Sequence, residues 1–175
     1  MIRRQFKEGA INTLTPIEGG LQPIRVMSLA RDSAAIPLVA RWLSAEWGRV
    51  QGYCYDDTVS WCNEVANSEN ELLACAFLNE YPVGVALLVE CDLQSHDYWR
   101  PWLSSLYVPV EHRGKRIGEA LISAICEAAR DGGWSELYLY AATGWLTAYY
   151  TKFGWRSVDR IDVSGNTFDV MKRQL

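Results

Sequence analysis

The part of this 175-residue chain best suited to chemistry is a basic turn that carries glycine, Pro109-Val110-Glu111-His112-Arg113-Gly114-Lys115-Arg116-Ile117-Gly118. An apolar stretch with strand character, Leu103 to Val108 by number 103–108, leads into it, and an amphipathic helix leaves it. The first N–H groups of a helix have no partner inside the helix. With cationic side chains beside them they make a natural seat for a phosphate or pyrophosphate. Gly114 permits unusual dihedrals, and Gly118 lets a ligand lie against the first helical turn. The usual nucleotide loops do not fit, because neither G-x-x-x-x-G-K-[ST] nor G-x-G-x-x-G occurs. Taken alone, the turn also suits a plain basic connection between strand and helix.

The elements that must hold this turn follow from hydrophobic period and turn residues. A strand is expected over 24–29, then a helix capped by Asp32 or Ser33 with Ile36, Val39, Leu43 and Trp47 on one face and Pro37 in its first turn. A loop over 48–55 precedes a second short helix opened by Asp57 and Thr58. Strands over 71–78 and 83–91 form a hairpin through Asn79-Glu80-Tyr81-Pro82. The second is apolar on both faces and so reads as central and covered. A polar and aromatic loop, 91–101, leads to a strand over 102–108. The helix after the basic turn spans 117–130, burying Ile117, Leu121, Ala124, Ile125 and Ala128 and ending at Gly132-Gly133. A strand over 137–140 follows, then a short helix over 145–152. A final hairpin pairs 156–163 with 168–172, turning at Ser164-Gly165-Asn166. The unit 102–140 implies a parallel strand pair with a right-handed crossover. Residues 1–22 read as an N-terminal extension or arm, broken at Gly19-Gly20, and 23–175 as a single domain.

Two motifs carry a family resemblance. Residues 106–118 resemble the coenzyme-binding pattern [QR]-x-x-G-x-[GA] of the GNAT N-acetyltransferase superfamily, with Arg113 opening it and Gly118 closing it. The pattern's middle glycine falls on Arg116, a departure. The segment Leu137-Tyr138-Leu139-Tyr140 followed by Ala148-Tyr149-Tyr150-Thr151-Lys152-Phe153-Gly154-Trp155 resembles the family's later motif, [FLY]-Y-x-[KR]-x-G-[FW]. The lead Pro101-Trp102-Leu103 is similar to that of bacterial members.

The resemblance implies an α/β (α+β) acyl-CoA N-acyltransferase fold, a mixed and mostly antiparallel sheet flanked by helices. It implies acetyl transfer from acetyl-CoA, a co-substrate, to a primary amine of a small molecule or of a protein or peptide. Leu106, Tyr107 and Val108 would hydrogen-bond the pantetheine and polarise the thioester through a backbone N–H. Arg113, Gly114, Lys115, Arg116, Ile117, Gly118 and Glu119 would cradle the pyrophosphate. Strands 106–108 and 137–140 would splay into a V that admits the co-substrate. Tyr150 would protonate the departing thiolate, since a phenol with a pKa of about 10 holds its proton at neutral pH; packing beside Tyr149 is the alternative. Thr143 stands where the family has a cofactor-binding asparagine. Lys152 reads as a solvated helix-end cation.

No general base is evident. The family's glutamate positions fall on Trp102 and Tyr138, leaving Glu90, Asp92 and Asp97, each also readable as a solvated charge, or a water relay. Trp42, Trp47, Tyr53, Tyr55 and Trp61, with Trp99 and Trp102, can wall an amine pocket by cation–π contact. The first, second and fifth of these also suit a helical core.

Composition excludes several classes. The net charge of −4 argues against nucleic acid and against a toxin acting on aminoacyl-tRNA. No apolar run suits a signal peptide or membrane anchor. Five cysteines without C-x-x-C spacing, and only two histidines, argue against a disulfide framework or a zinc site. Unpaired thiols suit a reducing cytoplasm, so the expectation is a cytoplasmic enzyme with acetyl-CoA and an amine as partners, no metal, no nucleic acid and no membrane. Monomer and homodimer both stay open, dimers being frequent in the family. A non-catalytic acyl-CoA-binding regulatory module of the same fold is the competing reading; a plain interaction domain would leave the paired motifs unexplained.

Overall fold

The computed structural model describes residues 11–16, 23–163 and 165–175. Among them, eight strands form one sheet: β1 (Asn12–Thr15), β2 (Ile24–Ser28), β3 (Leu72–Leu78), β4 (Tyr81–Val89), β5 (Trp102–Tyr107), β6 (Glu136–Ala142), β7 (Arg156–Val163) and β8 (Asn166–Gln174). The order across the sheet is β1-β2-β3-β4-β5-β6-β8-β7. Every neighbouring pair is antiparallel except β5 and β6, which are joined through a helix and run parallel. This is the mixed, mostly antiparallel α/β architecture expected from the sequence.

Helices cover both faces. On one side lie α1 (Ile36–Leu43), α2 (Arg49–Gln51) and α3 (Tyr55–Ala66); on the other lie α4 (Ile117–Asp131) and α5 (Trp145–Thr151). Because side chains alternate along a strand, the sheet feeds two cores. Leu103, Leu137 and Leu139 join Ile117, Leu121 and Ile125 of α4, while Trp102 and Tyr138 join Ile36, Val39 and Leu43 of α1. Gly84 of β4 is what lets α4 sit close. A Cβ there would stand 3.0 Å from Ile117 Cγ2 and 3.1 Å from Leu121 Cδ1.

Several boundaries differ from the sequence reading. No side chain caps α1, which starts after Ala35, so neither Asp32 nor Ser33 is its cap. The helix does not stop at Gly48 but passes through a wide π turn, Ser44–Gly48, into α2. Gly48 is needed for tightness, since a Cβ would stand 2.7 Å from the Tyr53 carbonyl oxygen. The stop is Gly52, at φ +79°. At α3 the cap is Cys54, and Asp57 closes a capping box by accepting the Cys54 N–H at 2.8 Å. Within the stretch read as an arm, Asn12–Thr15 pairs with β2 as an edge strand. Residues 1–10 and 17–22 of that stretch, and Ser164 of the last turn, lie outside the described residues. No helix among the described residues is long and apolar enough to cross a membrane.

The β3–β4 hairpin is tighter than read. Leu78 pairs with Tyr81, so the loop is Asn79-Glu80, with φ of +49° and +67°. Two positive φ values mark the turn type that fits strand twist and favours Asn-Gly. An exposed glutamate in the left-handed region costs about 1–2 kcal/mol, partly offset by the chain entropy glycine would lose, about 0.5–1 kcal/mol. Glu80→Gly is therefore expected to stabilise the fold by about 0.5–1 kcal/mol, read as a rise of roughly 1–4 °C in Tm. An unchanged or lower Tm would contradict the strain assigned to this turn.

Candidate active site

Strands β5 and β6 meet at one ladder position, Trp102 opposite Tyr138, where the Tyr138 N–H donates to the Pro101 carbonyl at 3.0 Å. Beyond it they part. A bulge helps: β4–β5 pairing shifts between Leu87↔Ser104 and Val85↔Tyr107, and Ser105 sits at φ +52°. A cleft of about 910 Å³ fills the fork, lined by Leu103–Leu106 by number 103–106 and by 139–142. The open arm of β6 is thus 139–142. Leu137 and Tyr138, expected within the V, lie at its closed end. Leu106 lines the cleft. Tyr107 instead turns its ring toward Trp42 and Trp47, with centroids 6.1 and 6.2 Å away, and Val108 packs against the α4 core.

The basic turn enters α4 as expected, with no side-chain cap on the helix start. Gly114 takes φ +75° and faces open space. Arg116 occupies a left-handed conformation, φ +61° and ψ +14°. That conformation is why a glycine suits this place in the pattern. The Arg116 guanidinium grips Glu119 with two hydrogen bonds of 2.8 Å, holding the Glu119 carboxyl below its usual range. Arg113 Nε donates to the Val108 carbonyl at 2.9 Å, and Lys115 Nζ to that of Glu111 at 3.1 Å. These cations brace the turn while its amides remain at the helix start. Gly118 departs from expectation. A Cβ there would stand 2.8 Å from the Tyr149 hydroxyl, so the space it leaves is taken by Tyr149 rather than kept open for a ligand.

Tyr150 lines the cleft from α5. Its ring packs edge-on to Tyr149 and Trp155, with centroids 5.4 and 6.1 Å away. Burial, and then Tyr149, push its pKa well above the ordinary phenol value, so it stays protonated and can donate. The helix is pinned by Thr147 Oγ1, which donates to Asp169 Oδ2 at 2.9 Å, and Asp169 is held in turn by Arg160 at 2.9 Å. The Thr143 hydroxyl donates to the Thr167 carbonyl at 3.2 Å, which commits its proton to the fold. Lys152 is exposed.

The opposite wall of the cleft carries Trp47, Tyr53 and Trp61 from the first helices, with Tyr140, Phe168 and Asp92. The aromatic cluster read from the sequence therefore divides. Trp42 and Trp102 pack in the core, Trp99 stacks on Tyr138 at 5.1 Å, and Tyr55 faces away from the cleft. Among the three acids, Glu90 approaches Arg100 at 3.9 Å and Asp97 is exposed. Asp92 lines the cleft. Burial lifts its carboxyl to about 6, against the pull of the Ser104 hydroxyl. Its charge in turn raises Tyr53, and raises Tyr140 to about 12, in both cases after burial itself. The loop bearing Asp92 is tethered by His96, whose Nε2 lies 2.8 Å from Asp159 Oδ2. Tyr140 and Phe168 were missed as site residues. The alternation in Leu137-Tyr138-Leu139-Tyr140 was the available signal, since it sets both tyrosines on the face away from α4.

The acetyltransferase (GNAT) family model matches residues 36–155. No curated protein matches the chain in sequence. Among solved structures, an aminoglycoside 6'-N-acetyltransferase complexed with coenzyme A superposes with a TM-score of 0.67 at 15% identity, covering 85% of this chain and 96% of that one. A GNAT family acetyltransferase from Elizabethkingia anophelis with acetyl-CoA bound gives 0.62 at 15% identity, covering 87% and 98%. An uncharacterized protein from Bacillus halodurans gives 0.71 at 12% identity, covering 95% and 91%. At these identities the likeness is one of fold.

Asp92 is expected to weaken the fold it serves. Its folded pKa of about 6 lies above the unfolded value of about 3.9. Its ionised form is therefore disfavoured by folding above that range, and the penalty fades as pH falls from 7 toward 4. Asp92 keeps some solvent contact, which limits the effect. Asp92→Asn should raise Tm at pH 8 by a few degrees and by clearly less at pH 4.5. Equal differences at both pH values would refute the assignment.

Proposed function

The chain belongs to the GNAT acetyltransferase family, and on that footing we propose that it moves an acetyl group from acetyl-CoA to a primary amine of a small molecule or of a protein or peptide. The observation that carries this reading is a single cleft that brings together the parted strands β5 and β6, the Tyr150 hydroxyl and the Asp92 carboxylate. The uncapped start of α4, with the amides of 114–119 and the braced cations around them, suits the pyrophosphate. The unpaired edge of β5 at 106–108 suits the amide-rich pantetheine arm, and a backbone N–H there would stabilise charge developing on the thioester oxygen.

Asp92 takes the amine's proton. A free amine with a pKa near 10 is neutral about once in a thousand at pH 7, a cost of about 4 kcal/mol. The cleft narrows that gap from both sides, because desolvation raises a carboxyl and lowers an ammonium. Tyr150 returns a proton to the departing thiolate. The Thr143 hydroxyl donates to the Thr167 carbonyl, which leaves its oxygen to accept a hydrogen bond from the co-substrate. Arg116, Thr143 and the want of an evident base favoured a non-catalytic acyl-CoA-binding module; Asp92 and Tyr150 lining one cleft favour turnover. We assign the enzyme to the cytoplasm on the ground that its cysteines are unpaired.

Acetyl-CoA at 100 times its Kd is expected to stabilise the fold by about 2.7 kcal/mol, a shift of several degrees in Tm. A folded protein that shows no shift at millimolar acetyl-CoA would overturn the assignment.

Tyr150→Phe keeps the ring and removes the donor. It should lower kcat by about 10²–10⁴ and leave the Kd for acetyl-CoA within twofold. A kcat within a few-fold of wild type would make the residue a packing aromatic. In the parent enzyme kcat/KM should rise with pH through about 6, the pKa of the ionising Asp92, and in Asp92→Asn that limb should vanish.

A further inference from the structure

The amine-side wall of the cleft is rich in aromatic rings, and its composition bears on the acceptor. Five half-buried rings face it: Trp47, Tyr53, Trp61, Tyr140 and Phe168. They come from five separate elements or loops, so helical spacing alone does not account for their convergence. Among the described residues, no lysine, arginine or histidine lines the cleft. Two carboxylates do. Asp57 accepts the Cys54 N–H at the start of α3, and Asp92 shares the cleft lining with Ser104, Tyr53 and Tyr140.

We propose that the acceptor is a primary amine carried on an aromatic or similarly flat apolar body, with no carboxylate and no second ammonium close by. This rests on the acetyltransferase reading above and narrows it. The ammonium of such a molecule finds Asp92 as its counter-charge and aromatic faces around it, an arrangement that attracts cations as well as apolar surface. The body of the acceptor then covers the remaining rings and buries their apolar area. A carboxylate on the same molecule, as in an amino acid, meets no cation and is repelled by Asp92. A polycation places one charge at Asp92 and presses the others against the apolar walls, where their lost hydration is uncompensated.

Thiol release from acetyl-CoA should be measured with 2-phenylethylamine, phenylalanine and spermidine as acceptors. The expected order has kcat/KM for 2-phenylethylamine at least tenfold above spermidine and at least tenfold above phenylalanine. Equal or better use of spermidine or phenylalanine would overturn the proposal while leaving the transferase reading intact. If acetyl-CoA is not bound or no amine is acetylated, the transferase reading fails by itself. The acceptor class is then decided by quenching of tryptophan fluorescence: saturable binding of 2-phenylethylamine but not of phenylalanine supports it, and absence of that binding refutes it. As an independent check, Phe168→Ala should raise KM for 2-phenylethylamine at least fivefold with the Kd for acetyl-CoA unchanged. An unchanged KM in the folded variant counts against the proposal.

Discussion

The parting of β5 and β6 after a single ladder position is the constraint on which the rest of this molecule depends. Two parallel neighbours in mid-sheet would ordinarily pair along their length, because each unpaired backbone group buried away from water is costly. Here the fork persists because both strands are held from outside. β6 is paired with β8 from Glu136↔Gln174 to Ala142↔Phe168, and β5 is paired with β4 on either side of its bulge. The left-handed Ser105 lets β5 bend away without losing β4. Helices α4 and α1 then clamp the closed end through Leu103 and Leu137 on one face and Trp102 and Tyr138 on the other. The cleft is the space that this outward support leaves.

The cleft pierces the sheet, so its two ends have different chemistry. On the α4 side stand Leu103, Leu139, Leu146 and a protonated phenol, Tyr150. On the α1 side stand aromatic rings and a carboxylate lifted toward neutrality. The same burial acts on both groups in a useful direction: it keeps Tyr150 a donor and makes Asp92 a stronger proton acceptor. Burial disfavours the charged form of Asp92, and Arg116 holds a left-handed conformation that suits glycine better.

Much of this was legible in the residues. The strand–turn–helix at 102–131 and the helix ending in Tyr150 could be read because their signals are local: hydrophobic period, glycine, and a turn rich in cations. The acids could not be ranked, because what separates Asp92 from Glu90 and Asp97 is burial in the cleft, and that is set by contacts distant in sequence, such as His96 with Asp159. Gly118 was read as leaving room for a ligand, whereas the neighbour at that position is the Tyr149 hydroxyl from another helix. A loop was expected from Gly48 onward, because tight packing and chain reversal both select glycine. Only the dihedrals separate it from Gly52. The caps differ because α1 starts after Ala35 with no side-chain cap, and α3 is capped at Cys54, with the expected opener Asp57 serving from inside the first turn.

The tether between His96 and Asp159 joins the loop of Asp92 to β7, the outermost strand of the sheet. Strand residues alternate between faces, so a slip of one residue in the β7–β8 pairing would turn Asp159 to the other side and release the loop. The pairing is already irregular there, between Ser157 and Asp159. The alignment of the last hairpin is therefore written into the placement of the acid. A strand docking on the outer edge of β7 would bear on the placement of this acid without touching the cleft.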